Sequence, residues 1–360
     1  MAKHSKKMKL LINTPSLKIL GGVANHYIGL RAFWTQNVKY NIVGRRGEKS
    51  GSGKYWLPWD IFKFMFRLLT FRPNVVLLNP SLGDNALKRD FIFLEIAKRL
   101  GFKVVIFIHG FNLEYASRIN KDWIAKNLNK ASMIFVLANA FKKILQSWEV
   151  TVPIGLTTTK IDDVLLENFI PSENRIFKNR NILCLTRIEK AKGVYETVDT
   201  YAILKRQYND LTLTFVGDGS ELGALKKYVA NKNLSDVKFT GRLGGEALSN
   251  AYKKADFFLF MSYGEGMPTV VLEAMAFGLP VFTRNVGGLV DFFENGRMGY
   301  ISDSLNPVDF ANAMKPYLEN EDQTHKVALY NAQYAKEHFM ASSVAQQLES
   351  NIFLHLRHFG

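Results

Sequence analysis

One cysteine, Cys184, stands in 360 residues, so no intramolecular disulfide can form and a thiolate zinc site is strongly disfavoured. No run reaches the ~18 apolar residues needed to span a bilayer. The N-terminus MAKHSKKMKLLINTP is basic, but its apolar run is short and reads as a first strand, not a signal peptide. A reducing cytoplasm fits these absences. The dinucleotide pattern Gly-x-Gly-x-x-Gly is missing, which counts against NAD. No two aspartates are separated by one residue. His4, His26, His325, His338, His355 and His358 are scattered without metal-ligand spacing. There is no internal repeat, heptad array or low-complexity tract.

What is present is an ordinary globular composition, 47% apolar and 22% charged, which excludes intrinsic disorder as the main state. At this length about two domains are expected. The net charge of +15 is unevenly spread. Residues 1–150 hold 25 Lys and Arg against 8 Asp and Glu, whereas residues 151–360 hold 22 against 24. The basic part is expected to face an anionic partner: an acidic membrane, a phosphorylated lipid or nucleic acid. A solvated basic surface is the alternative.

Short apolar runs alternate with helical patterns. Strands are expected at 8–15, 37–44, 72–79, 102–110 and 131–139, with helices between them such as 86–100 and 119–130. The polar segment 168–180 reads as a linker. The alternation then restarts with strands at 181–188, 211–219, 237–242, 255–262 and 280–288. Two such series predict an α/β chain of two doubly wound parallel-sheet domains with a cleft between them. Residues 342–356 place Val344, Leu348, Ile352 and Leu356 on one helical face.

The most informative segment is 261–278, MSYGEGMPTVVLEAMAFG. A strand ends, a glycine-containing loop follows, and a helix starts near Pro268. Glu273 lies one turn after Thr269 on the same helical face. Backbone N–H groups of Met267 to Val270 at the helix start suit phosphate oxygens. Glu265 suits sugar hydroxyls and Glu273 a ribose diol. A capped core helix with Glu265 as an N-terminal charge is the alternative.

Glu265, seven residues and Glu273, within EGMPTVVLEAMAFGLPV, resemble the signature of retaining glycosyltransferases of family 4. GGLVDFFENGRMGY (287–300) resembles that family's next segment. LTRIEKAKG (185–193) resembles its Arg-x4-Lys-Gly element. The resemblance is close over roughly 180–305 and loose before that. It implies the GT-B fold: an acceptor-binding Rossmann-like domain over 1–170, a donor-binding one over 171–340, and a C-terminal helix, 341–360, that packs back on the first.

The implied activity is transfer of a hexose, with retention, from a nucleotide diphosphate sugar to a hydroxyl of a glycan or lipid-linked acceptor. Lipopolysaccharide, capsule or other cell-surface polysaccharide synthesis is the implied setting. A UDP-sugar ranks ahead of a GDP-sugar. Arg187 and Lys192 would bind the donor diphosphate, whose charge grows as it leaves; surface cations are the alternative. Gly21 and Gly22, with Gly266, Met267, Pro268, Thr269 and Glu273, would complete the donor site. Thr240, Gly241 and Arg242 would lie near the base. His109, ending KVVIFIHG, would lie near the transferred sugar.

No cofactor or metal is implied, because the cations would replace the metal that other transferases hold with Asp-x-Asp. Nucleic acid is not an expected partner on this reading. A sugar-nucleotide epimerase and a non-catalytic anion-binding protein are the rivals.

Residues 54–72 mix aromatics with cations and suit either a sheet-covering helix or a membrane interface. Lys3, Lys6, Lys7, Lys9, Arg45, Arg46, Arg67 and Arg72, with Trp56 and Trp59, are candidate contacts to the inner face of the cytoplasmic membrane.

Overall fold

The computed structural model describes residues 7–18, 21–44, 46, 53–111, 113–167, 169–171, 177 and 180–358. Lys3, His4, Lys6, Arg45 and most of the 168–180 linker lie outside them. The chain forms two compact units, residues 1–160 with 341–360, and residues 161–340.

Unit 1 runs β1 (Lys9–Thr14), α1 (Gly22–Leu30), β2 (Asn37–Ile42), α2 (Leu57–Phe71), β3 (Val75–Leu78), β4 (Ser81–Leu82) and α3 (Asp84–Arg99). It continues with β5 (Lys103–Phe107), β6 (Gly110–Phe111), α4 (Leu113–Arg118), α5 (Lys121–Leu128), β7 (Met133–Val136), α6 (Asn139–Ser147) and β8 (Ile154–Leu156). Six strands form a sheet in the order β2-β1-β3-β5-β7-β8, every pair parallel. Central strands such as Val75–Leu78 are buried along their length, as expected of a sheet covered on both faces. The strand order reverses between β1 and β3.

Unit 2 runs β9 (Asn181–Leu185), α7 (Val194–Lys205), β10 (Thr212–Val216), α8 (Leu222–Asn231), β11 (Val237–Phe239) and α9 (Gly245–Lys254). Then come β12 (Phe257–Phe260), α10 (Thr269–Ala276), β13 (Val281–Arg284), β14 (Gly299–Ser302), α11 (Pro307–Glu319) and α12 (Glu321–His338). The parallel order β11-β10-β9-β12-β13-β14 reverses between β9 and β12. Strand periodicity of two splits the core. Leu183, Phe258 and Phe260 pack in one layer, and Ile182, Cys184, Phe257 and Leu259 in the other.

The last helix, α13 (Ala341–His358), belongs to unit 1. Val344, Leu348 and Ile352 are buried, and Glu349 accepts from Thr35 N–H (3.0 Å), Thr35 Oγ1 (2.5 Å) and Gln36 N–H (3.0 Å). The carboxylate thus ties this last helix to the turn before β2. Helix α2 satisfies the sheet-covering reading through Phe64, Leu68 and Phe71, all buried. Its other side is not covered: Trp59, Phe62, Met65, Phe66 and Leu69 are exposed.

Candidate active site

In open parallel sheets, ligands bind beyond the carboxyl ends of the strands where the order reverses. In unit 2 that place lies beyond β9 and β12. The loop after β9 carries Arg187 and Lys192, and the loop after β12 carries Glu265. Their approach depends on glycine. Gly193 has φ 66°, and a Cβ there would lie 2.0 Å from the Met261 carbonyl oxygen. The Tyr263 N–H bonds the Ala191 carbonyl at 2.9 Å. This close packing brings Lys192 Nζ to 2.6 Å from Glu265 Oε1, with side chains only 14% and 20% exposed. Ser262 Oγ donates to the same carboxylate oxygen at 2.8 Å.

A second clasp holds the Glu265–Gly266 backbone. Gly287 has φ 56°, and a Cβ there would meet the Gly266 carbonyl oxygen at 2.0 Å. The Gly288 N–H bonds that carbonyl at 2.9 Å. Gly287 is therefore a glycine because two stretches of backbone must touch there.

Helix α10 starts after Pro268, which occupies the N-cap position with φ −75°. Proline's fixed φ suits that place. Glu273 is nearly buried, at 9% exposure, and its Oε2 accepts from the Tyr252 hydroxyl at 2.7 Å. Burial and the adjacent carboxylate push the Tyr252 phenol well above its usual value, so it stays protonated and donates. Arg187 pairs with Glu189 at 2.8 Å and is 64% exposed. The structure thus joins Lys192 to Glu265 but gives Arg187 a different partner.

Thr240 to Arg242 follow β11. The Gly217 N–H bonds the Gly241 carbonyl at 2.8 Å, and a Cβ at Gly217 would lie 1.8 Å from the Thr186 carbonyl oxygen. That loop is therefore fastened to the end of β10, and Gly217 there packs in turn on the residue before Arg187. Arg242 itself is exposed.

The corresponding edge of unit 1 gathers neutral side chains around His109, with the buried Lys160 near enough to act on His26. Gly21 caps α1 and Gly22 begins it, and a Cβ on either would meet nothing within 4 Å. Packing does not demand these glycines. His109 follows β5, with Nε2 3.0 Å from Asn79 Oδ1. Asn79 Oδ1 also accepts from the Tyr27 hydroxyl at 2.5 Å, and its Nδ2 donates to the Asn13 carbonyl at 2.8 Å. With the amide oriented in this way, His109 presents Nε2–H to Asn79 and keeps Nδ1 as an acceptor.

Burial, and next the neighbouring His26, lower the His109 pKa well below its usual value. His26 is not a scattered histidine. Its ring lies 5.0 Å from that of His109, and burial, with Lys160 as a smaller cause, brings it down to about 3. Both rings are neutral near neutral pH.

Sequence reasoning missed Asn79, Tyr27, His26, Ser262 and Tyr252. Asn79 ends an apolar strand just as His109 does, and that signal was available. Tyr252 has none, because an aromatic on an amphipathic helix is usually core. Among the described residues, no group of three or more His, Cys, Asp or Glu is placed to hold a metal ion.

Residues 167–336 match the family model for glycosyl transferases group 1. The chain is 30% identical over 176 residues to the D-inositol 3-phosphate glycosyltransferase of Paenarthrobacter aurescens, covering 47% of this chain and 43% of that one. It is 27% identical over 181 residues to the mannosylfructose-phosphate synthase of Agrobacterium fabrum, covering 48% and 40%. The chain thus spans about half the length of the curated relatives it matches. Among solved structures, Anabaena HepE in complex with UDP and glucose is similar at 18% identity, covering 96% of this chain and 99% of that one, with a TM-score of 0.71. The sucrose-phosphate synthase of Thermosynechococcus elongatus gives 16%, 98%, 100% and 0.73. The fold is GT-B, and within it residues 167–336, which carry the Lys192–Glu265 pair and Glu273, match the group 1 glycosyl transferase model.

Proposed function

We propose that this protein is a retaining, metal-independent glycosyltransferase of family 4 type, which moves a sugar from a nucleotide diphosphate to a hydroxyl of a glycan or lipid-linked acceptor. The observation that carries this reading is the meeting of Lys192, Glu265 and the start of α10 where the strand order of unit 2 reverses. Unit 2 is the donor domain and unit 1 the acceptor domain.

Lys192 and Arg187 offset the charge that grows on the leaving diphosphate, and the start of α10 offers it backbone N–H groups. Glu265 accepts from hydroxyls of the donor sugar. Glu273, held by Tyr252, accepts from the ribose. Thr240, Gly241 and Arg242 border the base, with UDP ahead of GDP. Gly21 and Gly22 leave room for a phosphate near α1. His109, neutral and with Nδ1 as acceptor, positions a sugar hydroxyl. Retention follows a front-face path in which the leaving phosphate helps to remove the acceptor proton.

The setting is the inner face of the cytoplasmic membrane, in cell-surface polysaccharide or lipopolysaccharide synthesis. The basic excess of residues 1–150 supports that placement. Incubation with a panel of nucleotide sugars in EDTA tests the reading. Slow release of free sugar from one donor is expected. Activity that EDTA abolishes and Mn²⁺ restores contradicts the metal-free route, and binding without any turnover contradicts the enzyme.

A further inference from the structure

Helix α2 has apolar residues on both sides, although only one side is covered. Such a helix is ordinarily enclosed within a protein or by lipid. Its inner side, Phe64, Leu68 and Phe71, is buried. Its outer side bears Trp59 (51% exposed), Phe62 (59%), Met65 (41%), Phe66 (59%) and Leu69 (61%). Each of those positions has another of them three or four residues away, so they form a single stripe along the helix. Trp59 and Phe62 stack at 5.5 Å, joining the first turns into one surface. Isolated exposed apolar residues need no explanation, but a continuous stripe of large ones marks a contact surface.

The borders of the stripe decide what covers it. Lys63 and Arg67, both half-exposed, lie one turn apart along one side, with Lys63 Nζ 3.4 Å from the Ile42 carbonyl. At the C-terminal end, Lys39 Nζ lies 4.7 Å from the centre of the Phe71 ring, Lys9 donates to the Phe71 carbonyl at 3.0 Å, and Arg72 is exposed. The acid within α2, Asp60, is buried and paired with Arg46. The residues of unit 1 count 27 Lys and Arg against 9 Asp and Glu. A second copy would bring the same excess of positive charge against this face, which disfavours self-association. An anionic surface with an apolar interior matches both the rim and the stripe.

We infer that the outer face of α2 is a membrane-docking surface, on which Trp59, Phe62, Met65, Phe66 and Leu69 enter the acyl boundary of an anionic leaflet while the exposed Lys39 and Arg72 meet its headgroups and the half-buried Lys63 and Arg67 add positive charge along its side. Trp56 is not part of it, because it is only half-exposed and sits under the Arg46 guanidinium at 5.3 Å. The inference deepens the proposal of an acceptor held at a membrane and rests on that placement, but not on sugar transfer itself. The surface acts by insertion as well as by charge, so salt alone should not remove it fully.

Sedimentation of the full-length protein with equimolar phosphatidylglycerol–phosphatidylcholine vesicles, and with phosphatidylcholine alone, tests it. Binding to the anionic vesicles is expected, with a blue shift of tryptophan emission that the Trp59→Phe variant loses. The double variant Phe62→Ser/Phe66→Ser, altered only at exposed positions, should lose at least ~10-fold in vesicle binding. Its melting temperature and its response to a nucleotide-sugar panel should remain those of the wild type. Equal vesicle binding by wild type and double variant overturns the inference, as does absence of binding at low salt. A wild-type dimer that the double variant dissolves overturns it in favour of a protein interface. Vesicle binding without nucleotide-sugar turnover contradicts the enzyme and leaves the docking surface standing, and turnover without vesicle binding does the reverse.

Discussion

The two units share one plan of winding but finish their carboxyl edges with opposite chemistry. Unit 2 is nearly balanced in charge, with 20 Lys and Arg against 23 Asp and Glu, yet its edge carries the Lys192–Glu265 ion pair. Unit 1 holds the whole cationic excess, yet its edge carries neutral His109, His26, Asn79 and Tyr27. Net charge and site charge are therefore separate properties. In our proposal a few cations of unit 1 beside the apolar stripe of α2 serve a surface, and a few fixed charges of unit 2 serve a site. The glycines differ likewise. Gly193, Gly217 and Gly287 are required by backbone contacts, and Gly21 and Gly22 are not.

The largest effects should fall on the charged edge. Lys192→Ala and Arg187→Ala are each expected to lower turnover by at least ~100-fold, the scale for losing one preorganised charge-stabilising donor. Steady-state kinetics check this. A loss confined to Lys192 would show that Arg187, which pairs with Glu189, serves the surface and not the donor. Next, Glu273→Ala should weaken donor binding in calorimetry by ~1.5–3 kcal/mol, the worth of a hydrogen bond to a charged group. Unchanged affinity would remove Glu273 from the donor site.

The neutral edge should respond to pH. His26 is held down to about 3, so the unfolded chain takes up a proton near 6.5 that the folded chain refuses. Stability from this residue is complete above 6.5 and falls as pH drops toward 3. At ~1.4 kcal/mol per pH unit, about 2 kcal/mol is lost by about pH 5. Denaturant melts at both pH values should show a shallower decline for His26→Gln than for the wild type. Parallel declines would mean that His26 titrates normally.

The smallest effects come from the glycines and sharpen the contrast. Gly193→Ala and Gly287→Ala should cost well above ~1 kcal/mol, because their positive φ and backbone contacts both oppose a Cβ. Gly21→Ala and Gly22→Ala should stay within ~0.5 kcal/mol of wild-type stability. Thermal denaturation separates the two pairs, and equal costs would erase the distinction.

Much of this was legible in the sequence where one chemical demand acts along a short stretch. Runs such as VVLL and FFLF announce buried parallel strands, and EGMPTVVLE announces a loop and a helix start. The three-residue β8 and four-residue β14 escaped notice, because partly covered strands of that length leave no continuous apolar run. Pairings across the fold escaped for a different reason. Lys192 and Glu265 are 73 positions apart, and Asn79 and His109 are 30 apart. Strand order alone brings them together. Residues 54–72 offered two readings: the sheet-covering one holds on the buried side of α2, and the membrane one is our proposal for its exposed side.

The central claim is that a nucleotide sugar binds where the strand order of unit 2 reverses. Hydrogen–deuterium exchange with and without a saturating UDP-sugar tests it most directly. Protection is expected in the loops that carry Lys192 and Glu265 and in the first turn of α10. Protection confined to unit 1, with those segments exchanging as in the free protein, would contradict it.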